Sequence, residues 1–115
     1  MVDAGAHLVL GHGPHVVRGM EVRRGHLVAY SLGSFATYGG INVAGRLGVS
    51  LVLEVRLAKG GAVRSGQVHA VRQIPPGRPV PDPKGEVISI LRELSRADFG
   101  EAAVRVSDQG ALTLP

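Results

Sequence analysis

The sequence contains no cysteine and few aromatic side chains: Tyr30, Phe35, Tyr38 and Phe99, with no tryptophan. The absence of cysteine excludes a disulfide scaffold, a zinc site built on thiolates and a cysteine nucleophile. The shortage of aromatic rings means that any core must consist of valine, leucine, isoleucine and alanine. It also removes the stacking platforms on which single-stranded nucleic acids bind, so we expect no nucleic-acid partner.

Long apolar runs are also missing, since spanning a bilayer as a helix takes roughly 20 predominantly apolar residues. Residues 1–10 lack the basic start and long apolar stretch that are typical of a signal peptide. The sequence itself therefore predicts neither a membrane anchor nor an export signal, and it leaves the compartment unknown.

Glycine and proline are abundant, with 17 and 7 among 115 residues, and they predict many turns and short elements rather than a helix bundle. A hydrophobic content of 44% is enough for one packed domain. The net charge of +4, from 13 basic residues against 9 acidic ones, allows an anionic partner such as a phosphate or an acidic polymer.

Hydrophobic periodicity predicts an α/β arrangement of short, mostly antiparallel strands with one helix. Residues 7–10 are expected to form a buried strand, and Val49 and Leu51 to share one face of a strand from which Ser50 and Glu54 point away. The other expected strands are 20–22, 27–32 and 62–72, with a last hairpin over 103–106 and 111–114.

The proline-rich segment 75–85 is predicted to be an extended linker, followed by a helix near 83–97 with Asp82 as N-cap and Pro83 as first helical residue. We expect residues 1–74 to form the main part of the domain. Residues 75–115 then supply the linker, the helix and the small hairpin.

His12 and His15 lie three residues apart in a glycine-proline loop directly after the strand at 7–10. Imidazole is a good ligand for divalent transition metals, and α/β sheets place sites in loops at the carboxyl ends of strands. The alternative is a tight turn with two surface histidines, because two ligands do not complete a metal site. His7, His26 and His69 are weaker candidates, since each is expected at an exposed position.

Two segments resemble the bacterial capsule synthesis CapA family, the poly-γ-glutamate synthesis proteins. Residues 3–16, Asp-Ala-Gly-Ala-His-Leu-Val-Leu-Gly-His-Gly-Pro-His-Val, are similar to the family's DAGADLVIGHHPHV. Residues 30–35, Tyr-Ser-Leu-Gly-Ser-Phe, are similar to the YSLGNF that follows about a dozen residues later in the family. Ser34 stands where the family carries asparagine, which alters any contact made by that amide.

The resemblance implies the C-terminal portion of a calcineurin-like metallophosphoesterase, an α-β-β-α sandwich with a divalent two-metal site of manganese, zinc or iron. It places His12 and His15 among the metal ligands and makes the neighbouring loop residues substrate-loop candidates: Gly11, Gly13, Ser31, Gly33 and Ser34. The substrate implied is a phosphoester or poly-γ-glutamate, and the location implied is the cell envelope.

The family's earlier metal motifs have no counterpart in this sequence, so the chain resembles about the last third of a longer protein. We therefore expect the isolated chain to be inactive as a hydrolase. We also expect exposed apolar surface, and association with a missing N-terminal part or with a second copy. The alternative function is a non-catalytic remnant or accessory module that binds a partner or an acidic polymer.

Overall fold

The computed structural model describes residues 1–40 and 42–114. It is a mixed α/β structure with mostly antiparallel strands and one α-helix, as the sequence predicts. The helix is α1 (Glu86–Phe99), and short 3-10 turns lie at Val2–Ala4, Gly45–Gly48 and Gly100–Ala102. The strands are β1 (Leu8–Leu10), β2 (Met20–Arg23), β3 (His26–Ala29), β4 (Val49–Leu57), β5 (Val63–Ile74), β6 (Arg78–Pro81), β7 (Arg105–Val106) and β8 (Ala111–Thr113).

The small sheet has the strand order β1-β3-β2, with β1 parallel and β2 antiparallel to β3. The β2–β3 hairpin turns at Arg24 and Gly25, whose positive φ angles of 52° and 80° match the twist of the flanking strands. Residues 8–10 form a strand, as predicted, but the prediction that this strand is buried is wrong. Leu10 is 46% exposed, because β1 is an edge strand whose one partner within residues 1–40 and 42–114 is β3.

The large sheet has the order β4-β5-β8-β7, and β6 also pairs with β5. Val49 and Leu51 are buried, as the alternation of β4 predicts. Ser50, predicted to point away from the core, is also fully buried, and its hydroxyl donates to the carbonyl oxygen of Leu32 at 3.1 Å.

The proline-rich segment is not only a linker, because residues 78–81 form β6 and pair with β5 from Ile74 to Val71. Pro79 and Pro81 lie in this strand. A strand with a partner on one side tolerates proline, since N–H groups on its free side are not needed by the ladder. The division of the domain at residue 74 stays a prediction.

Helix α1 begins at Glu86, three residues after the predicted start, with Gly85 as N-cap at φ 61°. Asp82 still contributes, since its carboxylate accepts the N–H groups of Lys84 and Glu86, each at 3.1 Å. The helix ends at Phe99, two residues after the predicted end near residue 97, with Gly100 as C-cap.

The core lies where the helix packs on both sheets, and it is aliphatic, as the composition predicts. Val87 and Leu91 of the helix are fully buried with Met20 and Leu27 of the small sheet. The hydroxyl oxygen of Ser95, also fully buried, accepts the backbone N–H of Met20 at 2.9 Å. This bond fixes the helix to β2.

Replacing Ser95 with alanine should lower the free energy of unfolding by about 1–3 kcal/mol, because the buried N–H of Met20 loses its acceptor. Ser89 on the exposed side of the same helix provides the matched control, and its replacement by alanine should change stability by less than about 0.5 kcal/mol. Urea denaturation measures both, and equal losses in the two variants would contradict the assigned role of Ser95.

Candidate functional site

The two sequence motifs meet at the end of the small sheet where β1 and β3 have their carboxyl termini. Because β1 and β3 run parallel, the loop after β1 (residues 11–15) and the segment after β3 (residues 30–35) leave the sheet at the same edge. The N–H of Gly11 donates to Ala29 O at 2.7 Å, and the N–H of Leu32 donates to Gly11 O at 3.3 Å. These bonds hold the histidine loop against the second motif.

Gly11 has no room for a side chain. A Cβ at this position would lie 2.2 Å from the carbonyl oxygen of Tyr30, well inside van der Waals contact. Gly13 is required for a different reason, since its φ of 126° belongs to the left-handed region that side chains disfavour. Both glycines therefore shape the loop that carries the histidines.

His15 contacts the second motif directly, with its Nδ1 3.1 Å from the hydroxyl oxygen of Ser34. His15 adopts a positive φ of 59°, an uncommon backbone conformation for a residue with a side chain, and such strain is concentrated at functional sites. Ser34 is buried, whereas His15 is exposed. The contact with Ser34 involves Nδ1, one of the two ring nitrogens of His15.

His12 is exposed and lies on a groove of about 260 Å³ between the loop and β4. The groove is mainly apolar, and its lining includes Leu32, Phe35 and Leu53. Phe35 is 48% exposed, so an aromatic ring borders the groove next to His12.

Ser31 and Gly33 shape the backbone of the second motif. Ser31 is fully buried, and its hydroxyl oxygen accepts the N–H of Gly33 at 3.2 Å. Gly33 has a φ of 77°, and a Cβ there would lie 3.1 Å from a methyl group of Val17. These contacts turn the chain so that Ser34 reaches His15.

Two supporting residues, Ser50 and Gln73, escaped sequence reasoning. Ser50 of β4 donates to Leu32 O, and the side-chain amide of Gln73 in β5 donates to Ser34 O. The Oε1 atom of Gln73 is buried without a hydrogen-bond partner among the described residues. The sequence shows only that a serine and a glutamine lie within predicted strands. Their role in holding the second motif becomes visible only when the pairing of the strands is known.

Three ionisable groups of or beside the small sheet, Asp3, Arg23 and Tyr30, have shifted pKa values. The hydrogen bond from Arg23 at 2.8 Å, with the charges of Arg23 and Arg24, holds the pKa of Asp3 below its usual value. The hydrogen bond that Tyr30 donates to Glu21 at 2.9 Å raises the pKa of the Tyr30 phenol. The Tyr30 ring also stacks on the ring of Phe99, the last residue of α1.

The part of the chain that the structure describes contains no group of three or more histidine, aspartate or glutamate side chains placed to hold a metal ion. The rings of His7 and His26 stack on each other with centroids 5.5 Å apart, and His69 faces Glu54 at 3.4 Å. His12 and His15 have the right donor atoms for a divalent transition metal but form only part of its coordination shell. Within residues 1–40 and 42–114, no helix has the length and apolarity to cross a membrane.

Replacing Gly11 with alanine should destabilise the protein by about 1–3 kcal/mol or more, because the new methyl group must displace the backbone at Tyr30. Gly60 provides the control, since a Cβ there meets nothing within 4 Å. Thermal unfolding followed by circular dichroism measures both variants, and a Gly11→Ala protein as stable as Gly60→Ala would show that the motifs do not need this close approach.

Comparison with known proteins supports the resemblance over the first third of the chain. Residues 1–38, which include both motifs, match the family model of the bacterial capsule synthesis protein PGA_cap. The chain is 51% identical over 35 residues to the PGA biosynthesis protein CapA of Bacillus subtilis, a match that covers 30% of this chain and 9% of that protein.

Two further relatives match over a segment of the same length. The capsule biosynthesis protein CapA of Bacillus anthracis and the uncharacterized protein y4sH of Sinorhizobium fredii are each 49% identical over 35 residues, covering 30% of this chain and 8% of the relative. The matched segment thus spans less than a tenth of the length of these curated relatives. Residues 1–38, with the histidine loop and the second motif, are therefore similar to the bacterial capsule synthesis proteins.

Proposed function

We propose that this chain carries the last histidine motif of a metal-dependent, phosphoesterase-type hydrolase site in a CapA-like protein of capsule or poly-γ-glutamate biosynthesis. The observation that supports this most is the meeting of residues 11–15 and 30–35 at the carboxyl edge of β1 and β3, with His15 in contact with Ser34. The proposed architecture is the C-terminal portion of a calcineurin-like α-β-β-α sandwich. The proposed location is the cell envelope.

His12 and His15 are the residues of this chain that would hold a divalent metal. Ser34 orients the His15 ring through Nδ1, in the way that an outer partner fixes a metal-ligating imidazole. Gln73 of the large sheet in turn fixes the backbone of Ser34, and so it helps to hold the His15 ring in place. The bound metal would supply Lewis-acid activation of a water molecule and of the scissile group.

The remaining metal ligands of the proposed site are not among the described residues, which hold no third side chain of the required type near the two histidines. A two-metal site needs several more ligands than two imidazoles provide. The isolated chain is therefore proposed to bind metal without turning over a phosphoester.

Titration of Mn²⁺ and Zn²⁺ into the purified chain should show micromolar binding, and the double variant His12→Ala/His15→Ala should bind at least about tenfold more weakly. His69→Ala removes an exposed histidine of β5 and should leave the affinity unchanged. Equal, weak binding by all three proteins would contradict the metal assignment. Turnover of bis(p-nitrophenyl) phosphate by the isolated chain would contradict its proposed inactivity.

A second candidate function is non-catalytic binding of an acidic polymer. Arg92, Arg96 and Arg105 line a groove of about 360 Å³ between the end of the helix and β7. Arg92 is held by Asp108 at 2.8 Å, which fixes the wall of the groove, while Arg96 and Arg105 are exposed. Arginine side chains arranged around a groove favour a chain of carboxylates over a neutral ligand.

If the groove binds such a polymer, Arg96→Glu/Arg105→Glu should weaken binding of poly-γ-glutamate by about tenfold at low salt, through charge reversal in the groove. Arg64→Glu/Arg78→Glu makes the same change in net charge at exposed positions of β5 and β6. Fluorescence anisotropy with labelled polymer measures both variants. Equal weakening would mean attraction to net charge alone and would exclude the groove.

A further inference from the structure

Among the described residues, strand β4 pairs with β5 alone and forms an edge of the large sheet. The register shift near its end places the extra residue, Arg64, on β5, so β4 itself is continuous. It contains no proline, and Val52 and Leu57 are 44% and 41% exposed. A continuous edge strand with exposed apolar side chains is a template for pairing with a further strand.

The sequence of this edge is complementary to itself. In an antiparallel pair centred on Val55, Glu54 of each copy lies directly opposite Arg56 of the other copy. On the other face, Leu53 lies opposite Leu57 of the second copy, and one apolar row continues through both strands. On the face that carries Glu54 and Arg56, Val52 lies opposite Ala58 of the second copy at each end of the pair. Each opposed pair is therefore of opposite charge or of matched apolar character.

The side chains of Glu54 and Arg56 are exposed to solvent and can contact a second strand. Glu54 and Arg56 have exposures of 53% and 76%, and their contact within the strand is long, at 3.8 Å. Glu54 also contacts His69 at 3.4 Å, again at the surface. Such exposed pairs contribute little and re-pair readily.

We propose that this chain associates with a second copy through antiparallel pairing of β4 with β4, on a two-fold axis at Val55. The occupant is a second copy because the order of charges and apolar residues in 52–58 is self-complementary under that symmetry. A single strand pair buries less than a standard interface of about 1,600 Å², so the expected dissociation constant is micromolar or weaker. The proposal does not depend on the proposed function.

Charge exchange tests the pairing, because each single variant places like charges opposite each other. Glu54→Arg and Arg56→Glu should each be monomeric at concentrations where the unchanged chain is dimeric, whereas an equimolar mixture of the two variants should dimerise again. The double variant Glu54→Arg/Arg56→Glu restores both pairs and should also dimerise. Analytical ultracentrifugation over a concentration series measures all five samples: the unchanged chain, the two single variants, their mixture and the double variant.

Arg78→Glu supplies the control, since it reverses one exposed charge in β6, which pairs with β5 on the side away from β4, and it should leave the dimer intact. Circular dichroism confirms that each variant is folded. A monomeric unchanged chain at millimolar concentration would overturn the proposal. So would a dimer that survives in both single variants, because that dimer would use another surface.

Discussion

The parallel pairing of β1 with β3 is the constraint on which the candidate site depends. Parallel strands cannot be joined by a tight hairpin, so the chain must leave β1, form β2 and return through β3. The histidine loop lies on that excursion and must pass the end of β3 at close range. Gly11 makes this passage possible because it carries no side chain where Tyr30 O approaches.

The large sheet holds the segment 30–35, which contacts the histidine loop. Ser50 donates to Leu32 O and Gln73 donates to Ser34 O, so both strands of the β4–β5 pair hold the segment that contacts His15. The helix in turn is tied to β2 by Ser95. The geometry around the histidines therefore depends on contacts among all three layers, and loss of the core would also disperse the site.

The sequence predicted the features whose causes are local. The alternation of β4, the strands predicted at 20–22 and 27–32, and the helix predicted near 83–97 each follow from side chains close together in the chain. The loop position of His12 was likewise evident from its glycine and proline neighbours.

Features that depend on distant partners were not predictable in the same way. The edge position of β1 and the burial of Ser50 are set by segments that are not their neighbours in the sequence. Gln73 has the same explanation, because its amide is useful only where β5 passes Ser34. Local patterns identify an element, whereas its neighbours decide which side chains it hides and which it presents.

The proposed pairing edge and the candidate site share residues. Val52 and Leu53 line the groove beside His12, and they also begin the self-complementary segment of β4. In the paired arrangement, Leu57 and Ala58 of the second copy lie opposite these residues and border the same groove. Association would then place the second copy at the groove that His12 lines. The edge strand thus connects the oligomeric state of the chain to the shape of its candidate site.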